Sequence, residues 1–254
     1  MRDLIAVVVL CGFASPLASQ TPRIEDNSFL VEEAYNQERG VVQHITTWQR
    51  SLRSEAWDFS FTQEWPFLTQ SHQLSYAFLL GSTRAGTEFG GIGLNYRYQL
   101  LPTAARVTIA PRLSALLPAR REHLGVQLAV PVSVKLPEAV VGHWNGGVRQ
   151  TTRVTTLYNV GGSLVWLARP TFNVLCELAW AEEDGASALL LNPGIRWAHN
   201  LSSGLQIVPG MAFTYGLGPS KGVRAAFLYL SFEHAFGRGV SQRVRAVSSS
   251  ISPP

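Results

Sequence analysis

Asp58, Glu64, Arg97, Arg106, Arg112, Lys135, Arg149, Glu177, Arg196 and Glu233 share a placement. Each falls on, or just beside, the polar side of a stretch in which apolar and polar side chains alternate. Arginine dominates the cations, since Lys135 and Lys221 are the only lysines in the chain. A guanidinium favours fixed, forked pairing with carboxylates, so mixed-sign rows confined in one interior can pair across it. If such rows line a water-filled path, Arg97, Arg106 and Arg112 favour anionic or polar solutes.

Other chemistry finds little support. The histidines are His44, His72, His123, His143, His199 and His234, and none has an H-x-x-x-H metal spacing. No G-x-S-x-G is present for a serine nucleophile, although His44 or His143 could in principle serve hydrolysis of a lipid. The plain reading puts these histidines at interfaces or in an interior network. "FGGIG" at 89–93 lacks the following Lys-Ser/Thr of a phosphate loop, so it reads as small interior residues. No basic run is interleaved with aromatics, which argues against nucleic acid as a partner. No enzyme activity, metal or cofactor is implied.

Alternation with period two means extended strands. "WDFSFTQEWPF" at 57–67 puts Trp or Phe at every odd position except Gln63, and Asp58, Ser60, Thr62, Glu64 and Pro66 at the even ones. Similar blocks begin near His72, Gly90, Val107, Leu124, Phe172, Leu189, Leu205 and Leu228, and weaker ones cover 40–51, 139–150 and 155–168. The count is about twelve, an even number, with spacing that suits membrane strands of roughly 9–11 residues. A soluble sandwich would bury the aromatic row; a membrane barrel turns it to lipid and turns the charges inward. Trp57, Trp65, Phe67, Tyr98, Trp180, Trp197 and Tyr215 lie near block ends, as interfacial girdles require. Pro66, Pro111, Pro131, Pro193 and Pro209 sit inside blocks. They mark bulges and strand ends, or else lie near the membrane boundary.

The ends complete the layout. Residues 1–20 read as a signal peptide: Arg2, an apolar run from Leu4 to Phe13, then small residues. Residues 21–39 form an acidic pre-barrel segment, a short helix capped by Asp26, Asn27 or Ser28, or a plug drawn inward by Arg97, Arg106, Arg112, Arg149 and Arg196. The barrel covers 40–236, and the basic, Ser-rich stretch 237–254 reads as a disordered tail. Beyond the signal peptide Cys176 is the one cysteine, which excludes an internal disulfide. The net charge of +4 is mild. The expected fold is all-β: a transmembrane outer-membrane β-barrel of about twelve antiparallel strands behind a short N-terminal segment.

Several phrases carry a resemblance: "IEDNSFLVEEAYNQERGVVQHI" (24–45), "FTQEWPF" (61–67), "HQLSY" (72–76), "LNYRYQL" (94–100), "APRLS" (110–114), "NPGIRWAHNLSSGLQIVPGMA" (192–212) and "FLYLSFEHAF" (227–236). Together they resemble the outer-membrane barrel family named for the meta-cleavage pathway of phenol degradation. The resemblance covers most of the chain. It implies a barrel in the outer membrane of a Gram-negative type of envelope, with transport as the family's label and no substrate or catalytic residue to carry over. The expected partners are outer-membrane lipids, the barrel-assembly machinery and a small solute. The alternatives are a closed barrel that conducts nothing and a lipid-modifying barrel enzyme.

Overall fold

A computed structural model describes residues 24–117, 119, 124–152, 156–201 and 205–235. The expected signal peptide, the tail and Phe236 lie outside the described residues. The described chain forms one closed, antiparallel 12-strand barrel. The strands are β1 (Val41–Ser51), β2 (Trp57–Phe67), β3 (Thr69–Thr83) and β4 (Gly86–Tyr98). Next come β5, in two pieces (Val107–Ile109 and Arg112–Leu117), β6 (Gly125–Leu136), β7 (Val140–Thr151) and β8 (Thr156–Arg169). Last are β9 (Phe172–Glu183), β10 (Ala186–Trp197, resuming at His199–Asn200), β11 (Gln206–Leu217) and β12 (Arg224–Ala235). Each strand pairs with the next, and β1 closes on β12 from Val41↔Ala235 to Ser51↔Ala225. The rim where β1 begins and β12 ends is the terminal rim; the other is the far rim.

Burial is inverted relative to a water-soluble core. Val126 and Val160 point outward and are 55% and 57% exposed, while Gln73, Asn173 and Arg196 point inward and are 2%, 0% and 1% exposed. A barrel in lipid requires this inversion, because its backbone polar groups are all satisfied strand to strand and its apolar rows face hydrocarbon. No described helix is long and apolar enough to cross a membrane. In β2 the aromatic row lies on the outer wall, with the Phe61 and Phe78 ring centroids 6.4 Å apart and those of Trp65 and Tyr76 5.9 Å apart. Gln63, the one polar member of that row, accepts the hydroxyl hydrogen bond of Tyr76.

All five prolines fall at interruptions of the ladder, where the missing N–H costs least. Pro66 precedes a register shift and the left-handed Leu68, with φ 62°. Pro111 separates the two pieces of β5, and Pro131 faces that break, accepting the Ala110 N–H at 3.1 Å. Between β10 and β11 the pairing skips from Leu191↔Tyr215 to Gly194↔Ala212 beside Pro193. It skips again from Arg196↔Gly210 to His199↔Ile207 beside Pro209. "FGGIG" also marks an irregularity: Gly90 is the extra residue of a bulge against Leu79 and Leu80, and Gly91 takes φ 126°.

The pre-barrel segment is not helical. Residues 24–38 run as an extended strap with bends, inside the barrel. A helix would need the N–H groups after its cap to be followed by intrahelical bonds. Here the N–H groups beyond the first turn of such a helix, those of Ala34, Asn36 and Gln37, go instead to wall side chains, Ser133, Gln99 and Gln73.

Candidate functional site: the strap in the lumen

The strap is tied to the terminal rim at both ends. Ile24 N–H donates to the Pro170 carbonyl at 2.8 Å, in the β8–β9 turn. At the other end Gln37 N–H donates to Gln73 Oε1 at 2.7 Å, and Asn36 N–H to Gln99 Oε1 at 2.7 Å. Between these anchors it rises into the barrel to meet Glu177, about halfway along β9. Oε1 of Glu177 accepts the N–H of Phe29, Leu30 and Val31 at 3.0, 2.7 and 3.0 Å. Its Oε2 accepts from Asn192 at 2.7 Å, and Asn192 Oδ1 accepts from Thr214 at 2.9 Å. Three successive N–H groups converging on one carboxylate oxygen form an anion-binding concavity, filled here by the wall itself.

The arginines hold the strap mainly by its backbone. Arg196 donates to the carbonyls of Asn27 (2.7 Å) and Glu25 (3.2 Å), and stacks over the Tyr229 ring. Arg97 donates to the carbonyls of Glu33 (3.2 Å) and Tyr35 and to Asn36 Oδ1 (2.9 Å), with Glu64 Oε2 3.8 Å away. Arg112 alone makes a forked ion pair with the strap, at 3.0 and 2.7 Å from the two Glu32 oxygens. Its remaining nitrogen donates to Asn95 and Ser114.

A relay on β6 and β7 joins two distant points of the strap. Ala34 N–H donates to Ser133 Oγ at 2.8 Å; Ser133 Oγ lies 2.8 Å from His143 Nδ1; His143 Nε2 lies 2.9 Å from the Asp26 carbonyl. A carbonyl can only accept and a backbone N–H can only donate. With a neutral imidazole, Nε2 therefore carries the proton and Nδ1 accepts from the serine. Ser28 adds a hydroxyl bond to Ser163 at 2.6 Å.

Apolar packing completes the fit. Phe29 stacks within 5.2 Å of Phe227 and 5.3 Å of Tyr229, beside a lumen cluster of Ile24, Val208 and Ala212. Its ring occupies space left by missing side chains: a Cβ on Gly194 would stand 2.6 Å from Phe29 Cε2, and one on Gly210 2.8 Å from Cζ. Val31 uses Gly161 in the same way, at 2.9 Å.

Above the strap a cavity of about 510 Å³ opens toward the far rim. Its lining mixes polar groups (Thr47, Ser60, Thr62, Asn95) with an apolar patch of Ile45, Ala77, Leu79, Leu116 and Phe227. These apolar residues come from four strands, β1, β3, β5 and β12, and form a patch only once the barrel is closed. Burial and coulombic repulsion act on Glu33 at the cavity floor. Burial is the larger effect, opposed by Arg97 and aided by Glu64 and Glu32, and the carboxyl is pushed up to about 7.

The charged residues singled out from sequence thus divide. Glu64, Arg97, Arg112, Glu177, Arg196 and Glu233 meet in the lumen, the last accepting from Gln43 at 2.8 Å. Arg149 pairs with Glu183 at 3.6 Å, half-exposed toward the far rim, and makes no bond to the strap. Asp58 is exposed at that rim. Arg106 and Lys135 are exposed at the terminal rim instead of lining the lumen. Arg106 precedes the first residue of β5, and the Lys135 stem carries its ammonium to the Thr103 carbonyl. Of the arginines expected to draw the strap in, Arg97, Arg112 and Arg196 do so, and Arg106 and Arg149 do not. The alternation pattern missed Ser133, His143 and Asn173 as strap contacts, although each occupies an inward position of its strand.

No known family profile matches the chain, and no curated protein matches it in sequence. Solved structures do match in fold. The COG4313 outer membrane channel from Pseudomonas putida F1 is 12% identical, with 80% of this chain and 98% of that one covered at a TM-score of 0.59. The NanC porin is 7% identical, covering 76% and 99% at 0.56. The KdgM porin is 8% identical, covering 77% and 99% at 0.55. The chain has the β-barrel fold of these outer-membrane proteins.

Proposed function

We propose that this protein is an outer-membrane channel for small solutes, closed near the terminal rim by its own N-terminal strap. The observation that carries the reading is the strap itself: residues 24–38 cross the lumen on bonds from most of the wall strands, below a cavity of about 510 Å³. Passage then requires the strap to shift. An N-terminal segment and the first and last strand ends share one rim, so that rim faces the periplasm in this reading, and the cavity receives solute from outside.

The solute class follows from what the cavity leaves available. Arg97 and Arg112 direct their N–H groups to the strap and to Asn95 and Ser114, so they have little to offer a passing anion. The anion preference expected from an arginine-lined lumen is therefore replaced by a preference for neutral or cationic solutes. The apolar patch of Leu79, Leu116, Ile45 and Phe227 suits a solute with an apolar body and a polar head. A closed, non-conducting barrel is the competing reading, favoured by the many bonds between strap and wall.

Planar-bilayer recording tests the proposal. The intact chain should show small, intermittent conductance, and a chain lacking residues 24–38 should show a larger, steady one. Silence from both folded proteins would favour the closed barrel.

A further inference from the structure

His44 on β1 and His234 on β12 stand together on the outer wall beside the terminal rim, with their Nε2 atoms 3.1 Å apart and their rings 5.1 Å apart. They are diagonal neighbours across the closing seam, since His44 lies opposite Phe232 and His234 opposite Val42. His44 stacks on Phe232 at 4.6 Å and lies 6.0 Å from Phe61, so its ring is flanked by aromatics. Neither histidine touches the strap or the cavity.

We infer that His44 and His234 form a two-histidine site for a borderline transition-metal cation, Zn²⁺, Ni²⁺ or Cu²⁺, bridging the first and last strands. Neutral imidazole Nε2 is a preferred donor to these ions. Zn–N bonds of about 2.1 Å across this nitrogen separation subtend about 95° at the metal, within reach of tetrahedral or square geometry after a small ring rotation. No group of three or more His, Cys, Asp or Glu suited to a metal occurs among the described residues. The ion therefore keeps two open positions for water or for phosphate oxygens at the membrane surface.

The consequence lies in barrel closure. The two ligands are 190 residues apart in the chain. A clip between them closes nearly the whole barrel into one loop, and loop closure removes more freedom from the unfolded chain as the loop lengthens. The metal acts at the seam where the first and last strands must meet.

The test uses the full folded protein in detergent, without an added histidine tag, and Zn²⁺ alone as the probe. Titration calorimetry should show saturable binding of one ion per chain. His44→Ala and His234→Ala should each weaken it by about tenfold or more, since losing a ligand costs at least what losing a ligand's supporting hydrogen bond does. His72→Ala, which alters another exposed histidine on the same side, should leave it unchanged. Zn²⁺ should also raise the temperature at which the folded band is lost on heat-modifiability gels in the parent and in His72→Ala only. Those gels establish that each variant is folded, and His44→Gln serves if His44→Ala is not. Absence of saturable binding to the folded parent, or equal binding by His44→Ala, would overturn the inference.

Discussion

Glu177 Oε1 lies 2.7 Å from the backbone nitrogen of Leu30, and the same oxygen takes the neighbouring N–H groups of Phe29 and Val31. One wall side chain thus satisfies three consecutive donors of the strap. Leaving a buried donor unpaired costs on the order of 1–3 kcal/mol. Glu177→Ala should therefore release the middle of the strap while leaving the barrel folded. Limited proteolysis is expected to cut within 24–38 in this variant and not in the parent. Glu177→Gln keeps an acceptor but loses the charge, and should give an intermediate cutting rate.

The glycine seats under Phe29 make a reciprocal prediction. The three nearest neighbours of a Cβ on Gly210 are side-chain atoms: two from Phe29 and Cγ of Arg196, at 2.8–2.9 Å. Gly210→Ala should push Phe29 off the wall and raise conductance. Phe29→Ala removes both Phe29 contacts and leaves only that with Arg196 Cγ, so adding Gly210→Ala to it should have a much smaller effect than in the parent. A conductance for the double variant equal to the product of the two single effects would mean that the residues do not interact.

The three strap arginines should differ in weight. Arg112 and Glu32 have side chains 15% and 34% exposed, and partly exposed pairs contribute about 0–1 kcal/mol. Arg97 and Arg196 are buried and bonded to strap carbonyls. Arg112→Ala should thus alter strap release only slightly, and Arg97→Ala or Arg196→Ala strongly. Hydrogen exchange of the strap amides measures the ranking; an Arg112→Ala effect as large as that of Arg196→Ala would reverse it.

Glu33 gives the site a pH dependence. Burial holds its carboxyl at about 7 in the docked strap against 4.5 for a free glutamate. Its charge therefore penalises docking fully above pH 7, and the penalty is gone below the free value. The strap should dock more firmly at pH 5.5 than at pH 8, with conductance correspondingly lower. In Glu33→Gln the same comparison should show a much smaller difference; an unchanged pH response would assign it elsewhere.

The strands were legible because period-two alternation survives in nearly every block, and β2 spans 57–67 in both readings. The direction of the two faces was legible from arginine and glutamate placed where bulk water would accept any polar residue. The strap was legible as an acidic segment but not in its conformation, because its backbone bonds go to Glu177, Arg97 and Arg196, far away in sequence. Gly194 and Gly210 read only as small residues; their role as seats exists once β10 and β11 are paired and Phe29 has arrived. Arg106 and Lys135 were misplaced because alternation runs on to the rim, where Arg106 just before β5 and Lys135 at the second-last position of β6 reach out of the lumen.

The central claim is that passage requires the strap to move, and a reversible lock tests it most directly. Ser28 Oγ and Ser163 Oγ are 2.6 Å apart, close to the roughly 2.05 Å of a disulfide, so Ser28→Cys with Ser163→Cys should bond strap to wall. Single-channel recording of this double variant, with Cys176 replaced by serine, should be silent when oxidised and recover the parent's conductance on reduction. Equal conductance in the oxidised and reduced forms would contradict the account.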